Sequence, residues 1–321
     1  MSRRLLSSLA ALALASAPAH AQTLADARTC ERAIGGSATD RAAMQRLAGT
    51  ASSTTRHFAA GCMSVMAAQW DSAARHFDAA VTANPRSSAA FLWVGNITGH
   101  QARLGDMPTK VRLAPRIRDA YLKAIALDGR NIDAREGLMQ YLLATPAPLG
   151  GDKGKAAEQA AAIAKVDSYR GLGAALAVAA ATNDKPAVER LLLGATTQYP
   201  DSVIGWANLS AMQADAGRHG DAFATITRWQ ARRSNAMFAL FSIGRTAAVS
   251  GQQLQRGEQA LKQYLRGQRG PNDPPLANAN YRLGQIYERQ NRKPDARAAY
   301  QAALRSNPSL RDASMALERV Q

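Results

Sequence analysis

The chain has 321 residues, 46% hydrophobic and 6% aromatic, enough to bury one large or two medium cores. Its small-residue, aromatic-poor make-up argues against sandwiches and barrels, which draw on β-branched and aromatic side chains. The formal net charge of +16 falls to +14 once Arg3 and Arg4 are removed with the N-terminal segment described next. A field of that sign favours acidic partners or peripheral contact with an anionic envelope surface. The arginines are scattered, and no basic run is interleaved with aromatics, so a nucleic-acid partner is not expected.

Arg3 and Arg4 open the chain, Leu5 to Ala17 form a short apolar stretch, and Ala19-His20-Ala21 follows with small residues at alternate positions. This order is that of a secretory signal peptide over 1–21, cleaved after Ala21. The apolar stretch is shorter than the roughly 20 residues that a membrane-spanning helix needs. The expected location is therefore periplasmic or otherwise exported, by either the general or the twin-arginine route. The two cysteines, Cys30 and Cys62, then form a candidate disulfide; two buried free thiols are the alternative. Residues 22–53 are expected to add an N-terminal helical cap.

From residue 54 the same phase of small and large residues returns. Gly61, Trp70, Ala73, Phe77, Ala80 and Pro85 mark a first unit, and Phe91, Val94 and Gly95 open a second. Trp206, Leu209, Gly217 and Ala222 mark a middle unit, and Ile243, Gly244 and Gly251 open the next. The clearest unit carries Leu283, Gly284, Tyr287, Ala296, Tyr300, Ala303, Leu304 and Pro308. Gly284 and Ala296 are small where two helices touch, the large residues fill the groove between helices, and Pro308 ends the second helix. This pattern resembles the tetratricopeptide repeat (TPR), whose unit is a helical hairpin of 34 residues. The resemblance implies an all-α TPR-type superhelical solenoid of about seven antiparallel helix pairs over 54–310. The expected hairpins are 54–87, 88–130, 131–168, 169–202, 203–236, 237–276 and 277–310, with a C-terminal capping helix over 311–321.

Three units exceed the period. The second gains about ten residues around Leu104 to Pro115, where Pro108 and Pro115 are expected to break the helix. The third holds Pro146, Pro148, Gly150 and Gly151, and the sixth ends in a Gly- and Pro-rich stretch from Gly267 to Pro275.

Catalytic and cofactor motifs fail on inspection. Gly150 to Lys155 imitates a phosphate loop, but Leu149 stands where its first glycine belongs and Ala156 where Ser or Thr would hold magnesium. Gly171-Leu172-Gly173 lacks the third glycine of a dinucleotide fingerprint, at Leu176. No histidine pairs with a second histidine, cysteine or carboxylate at a helical metal spacing, and no Gly-x-Ser-x-Gly elbow occurs. His76 and His219 are expected at exposed positions. The expectation is a non-enzyme without cofactor or metal.

In TPR proteins, repeat positions 2, 5, 9 and 12 line the concave face. The resemblance then implies candidate partner-binding residues Asn96 and, one position later, His100 in the second unit. It adds Phe241 and Arg245 in the sixth and Tyr281, Gln285 and Glu288 in the seventh. Asn, Gln and Arg there would bond a peptide backbone, with Phe241 and Tyr281 as apolar anchors. Asn96 lacks the lysine four residues earlier that grips C-terminal carboxylates; Leu92 stands there. The implied function is a periplasmic scaffold or adaptor for a protein or peptide. A second reading comes from Pro148 to Lys153, with Ala156 opening the next helix. That stretch is similar to a connector in the TPR-like component of TRAP transporters, and implies a ligand-binding accessory subunit.

Overall fold

The computed structural model describes residues 28–50, 53–232, 237–270 and 272–320. The expected signal peptide and its cleavage point lie outside them. Among the described residues every regular element is helical. The chain divides after Ala181 into two compact units.

The first unit starts with helical residues 28–34 (α1), then α2 (Ala38–Thr50), α3 (Ser53–Met66), α4 (Trp70–Ala83), α5 (Ser88–Leu104) and α6 (Met107–Leu127). It continues with α7 (Ile132–Ala144), a 3₁₀ turn (Ala147–Leu149), α8 (Lys153–Val166) and α9 (Ser168–Ala181). The second holds α10 (Lys185–Gln198), α11 (Val203–Asp215), α12 (His219–Arg232), α13 (Met237–Ser250), α14 (Leu254–Arg266), α15 (Leu276–Arg289), α16 (Lys293–Ser306) and α17 (Arg311–Arg319). Within the units, α3/α4, α5/α6, α7/α8, α11/α12, α13/α14 and α15/α16 pack as consecutive pairs. The expected fourth hairpin corresponds to α9 and α10, which fall on either side of the division.

Helix starts follow the capping rule that a short polar side chain accepts from a backbone amide of the first turn. Ser87 accepts from Ala90, Asp106 from Thr109, Asn131 from Ala134, Asp152 from Lys155 and Asp184 from Ala187. Pairs are then locked by a glycine on the first helix facing a large side chain on the second. A Cβ added at Gly61 would sit 2.8 Å from the Phe77 ring, at Gly95 2.7 Å from Tyr121, at Gly244 2.2 Å from Leu261, and at Gly284 2.4 Å from Tyr300. Phe77, Leu261 and Tyr300 are fully buried as a result.

At the N-terminal end, Cys30 and Cys62 form a disulfide, tying α1 to α3 in one apolar cluster with Met44, Phe58 and Phe77. At the other end, Ala313 and Ala316 of α17 and Val320 are buried against the last pair.

The long second unit corrects one expectation. Pro115 does not break its helix: α6 runs unbroken for 21 residues, and α5 has 17, against 13 or 14 for most others. Asp106 caps the start of α6, and Pro108 sits in its first turn, where no amide partner is lost. Around Pro115, buried Ala114, Ile117 and Tyr121 hold the helix by packing. The 146–151 segment is a tight loop. Gly150 has a φ of +98°, and a Cβ at Gly151 would lie 1.7 Å from the Thr145 carbonyl oxygen, so neither position accepts a side chain. Tyr141 Oη donates to the Leu149 carbonyl at 2.6 Å and pins the loop. In the 267–275 connection, Tyr264 Oη donates likewise to the Pro274 carbonyl.

Two outcomes follow for stability. Replacing both Cys30 and Cys62 by serine should cost about 3–4 kcal/mol, the chain-entropy value for a loop of about thirty residues; urea unfolding with and without reductant measures it, and the reductant effect should vanish in the double variant. Gly284→Ala should destabilise by about 2 kcal/mol through overpacking against Tyr300, despite alanine's better helix propensity.

Candidate functional site

In the second unit the opening helices of successive pairs, α11, α13 and α15, pack side by side. Five of the seven partner-binding candidates lie on α13 and α15.

Phe241 and Arg245 line one recess of about 180 Å3, together with Ala207, Asn208 and Phe238. Phe241 is only 8% exposed; its ring meets Phe238 and Tyr264 at centroid distances of 6.3 and 5.7 Å. It forms the floor of the recess. Arg245 Nη2 donates to both carboxylate oxygens of Asp215 at 2.8 Å. Its Nη1 is buried and has no acceptor. A guanidinium nitrogen held in that state is expensive to desolvate, so the recess offers a donor to any acceptor that enters.

On α15, Tyr281 is half-buried, with its ring 5.9 Å from that of Tyr300. Gln285 Nε2 donates to Tyr281 Oη at 2.9 Å, and Gln285 Oε1 accepts from Arg282 Nη1 at 2.8 Å. The Arg282 guanidinium lies 5.2 Å from the Tyr281 ring centroid. Burial pushes the Arg282 pKa down, and the neighbouring Arg245 charge pushes it further; Tyr281, Asp215 and Asp312 act the other way.

Glu288 turns away to a structural task. It accepts from Tyr300 Oη at 2.6 Å and pairs with Arg319 of α17 at 3.3 Å. Burial works to raise its pKa, but the bonds from Tyr300 and Arg319 outweigh that and lower it.

In the first unit, Asn96 Oδ1 accepts from Tyr121 Oη at 2.9 Å, so Asn96 positions a core tyrosine. Burial pushes the Tyr121 hydroxyl up to about 12. His100 stacks on Trp70 at 3.7 Å between centroids, with Arg103 Nη2 2.8 Å from its Nδ1. Arginine only donates, so Nδ1 accepts, and the ring proton sits on Nε2, which is buried and without a partner. Burial and the Arg103 charge lower the His100 pKa.

Sequence reasoning passed over several residues. Phe238 occupies position 2 of the same repeat as Phe241, and the positional rule applied to the fifth hairpin falls on Ala207 and Ala211. These alanines leave the space that makes the recess. Arg282 lies outside the rule and is brought in by packing alone. His57 and His76, 19 residues apart and hence invisible to a helical-spacing rule, bring their rings to 6.3 Å across α3 and α4. His76 and His219 are half-buried rather than exposed. No group of three metal-ligating side chains occurs among the described residues.

The family described as Tetratricopeptide repeat matches residues 277–310, the pair α15/α16. A tetratricopeptide repeat protein from Parabacteroides merdae ATCC 43184 is similar in structure, with a TM-score of 0.54 and 14% identity, covering 84% of this chain and 98% of that one. Yeast Tom70 gives a TM-score of 0.54 at 13% identity, over 94% of this chain and 58% of its own. No curated protein matches in sequence. Residues 277–310 therefore carry a tetratricopeptide repeat, and among the described residues the fold is all-helical, of the helical-solenoid class shared with these structures.

The Glu288 arrangement sets a pH dependence. A carboxylate with a lowered folded pKa stabilises above its ordinary value of 4.5 and loses that contribution as pH falls through the folded pKa. Glu288→Gln should cost about 1 kcal/mol at pH 7, and the gap to the native chain should narrow as pH falls below 4.5, as read by urea midpoints across pH.

Proposed function

We propose that this protein is a non-catalytic scaffold of an exported compartment, the bacterial periplasm, that binds an extended segment of a partner protein along α11, α13 and α15. The observation that carries the reading is Arg245. Its buried Nη1, which has no acceptor, belongs to a side chain lining a recess floored by Phe241. A peptide carbonyl or an acidic side chain would satisfy the donor, and an apolar side chain would fill the recess. Such a mode combines a desolvated anchor with charge complementarity.

Two features support the location. The N-terminal residues read as an export signal, and the Cys30–Cys62 disulfide suits an oxidising compartment. No helix of the described residues is long and apolar enough to cross a membrane. The non-catalytic reading rests on the repeats, which occupy nearly all of the described chain.

A photo-crosslinking residue at exposed Asn208, on the rim of the recess, tests it in the host envelope, with exposed Gln259 on α14 as control. A single discrete protein should be captured from position 208, not from 259, and be lost when Arg245→Glu is added. Capture that is equal at both positions, or indifferent to Arg245→Glu, would reject the groove. Phe241→Ala is unsuitable as a binding probe: it should cost about 3–5 kcal/mol of stability, because it empties a core position.

A further inference from the structure

The first unit contains a feature that peptide binding in the second does not use. Between α5, α6, α7 and the 146–151 loop lies a cavity of about 800 Å3, within the range of small-molecule sites. Its wall is mostly apolar, with buried Ala114 and Ile117, half-buried Leu149, and Met107 near the exposed α5–α6 tip; Gln140 and Thr145 are its uncharged polar side chains besides the tyrosines. The two tyrosine hydroxyls at the wall are already engaged, Tyr121 with Asn96 and Tyr141 with the Leu149 carbonyl. The charged side chains in the lining are Arg103 and Lys110; no carboxylate is among them. Both are exposed, and both come from the lengthened α5–α6 pair.

We infer that this cavity binds a single-chain aliphatic carboxylate, with the alkyl chain in the apolar interior and the carboxylate held by Arg103 and Lys110. A mostly apolar wall, with Gln140 and Thr145 its remaining uncharged polar side chains and both tyrosine hydroxyls engaged, offers few partners to a peptide backbone or a sugar. Two cations without a counter-charge at the mouth select an anion. Arg103 is steadied for this by His100, whose Nδ1 accepts from its Nη2. The inference stands independently of any peptide bound by the second unit.

Gly99 supplies a clean test. It lines the cavity from within α5, and a Cβ added there meets nothing within 4 Å. Gly99→Leu therefore puts apolar bulk into the cavity from an open Cβ position, and helix propensity favours it. Decanoate, dodecanoate and tetradecanoate, each below its micellar concentration, are titrated into the purified chain by calorimetry. The expected result is one site, with affinity rising about two- to fourfold per added methylene, the free energy of burying a CH₂ expressed as a ratio. Gly99→Leu should weaken dodecanoate at least tenfold with an unchanged or raised Tm. Arg103→Glu with Lys110→Glu should weaken dodecanoate but leave its methyl ester unaffected. A flat chain-length series, or Gly99→Leu binding as the native chain does, would overturn the assignment. A native chain that binds ester and acid equally would overturn the role of the two cations.

Discussion

The contact between a glycine on one helix and a bulky side chain on the next is the constraint that the packed pairs depend on. Gly61 with Phe77, Gly95 with Tyr121, Gly244 with Leu261 and Gly284 with Tyr300 repeat it in four pairs. An added Cβ would lie within 3 Å of the facing side chain in all four, a separation at which repulsion exceeds any gain in helix propensity. Because the glycine removes a side chain, the partner can be large and still be fully buried. Each pair therefore carries its own apolar content, and stacking adds the rest. This explains how a chain poor in aromatics assembles substantial cores.

The same economy shapes the polar surface of the second unit. Most candidate groove residues spend their hydrogen bonds on neighbours: Gln285 on Tyr281 and Arg282, Glu288 on Tyr300 and Arg319. Arg245 is different, since Asp215 takes one of its terminal nitrogens and the other has no acceptor. In the proposed binding mode this buried donor would give directional recognition, because misplacing the partner leaves it unpaired. The alanines at 207 and 211 matter as much, through the volume that they leave open.

Length variation acts differently in the first unit. Extra residues in the second repeat extend two helices instead of forming a loop, and Pro115 is carried within α6. The lengthened pair and the pinned 146–151 loop leave a cavity between them, where a regular 34-residue unit would close up. Gly99, with open space before its absent side chain, contributes to that volume. An insertion here creates interior space, whereas most insertions only lengthen a surface path.

The sequence by itself determined the helical class and the small residues at helix contacts such as Gly284 and Ala296, because those depend on residue size at a fixed period along one or two helices. The likeness of 277–310 to the tetratricopeptide repeat could be read directly from Gly284, Tyr287, Ala296 and Tyr300. Tertiary structure decided which candidate residues are available. Phe241 and Arg245 occupy equivalent-looking repeat positions, yet one is floor and the other a partly unpaired donor. That difference depends on Asp215, Tyr264 and Ala207, which come from other helices. It also decided the fate of Pro115, since local propensity says break and the packing of Ala114, Ile117 and Tyr121 says continue. The cavity behind Gly99 could not be read from the sequence for the same reason: a void is defined by what neighbouring helices fail to fill, and periodicity along one helix carries no record of it.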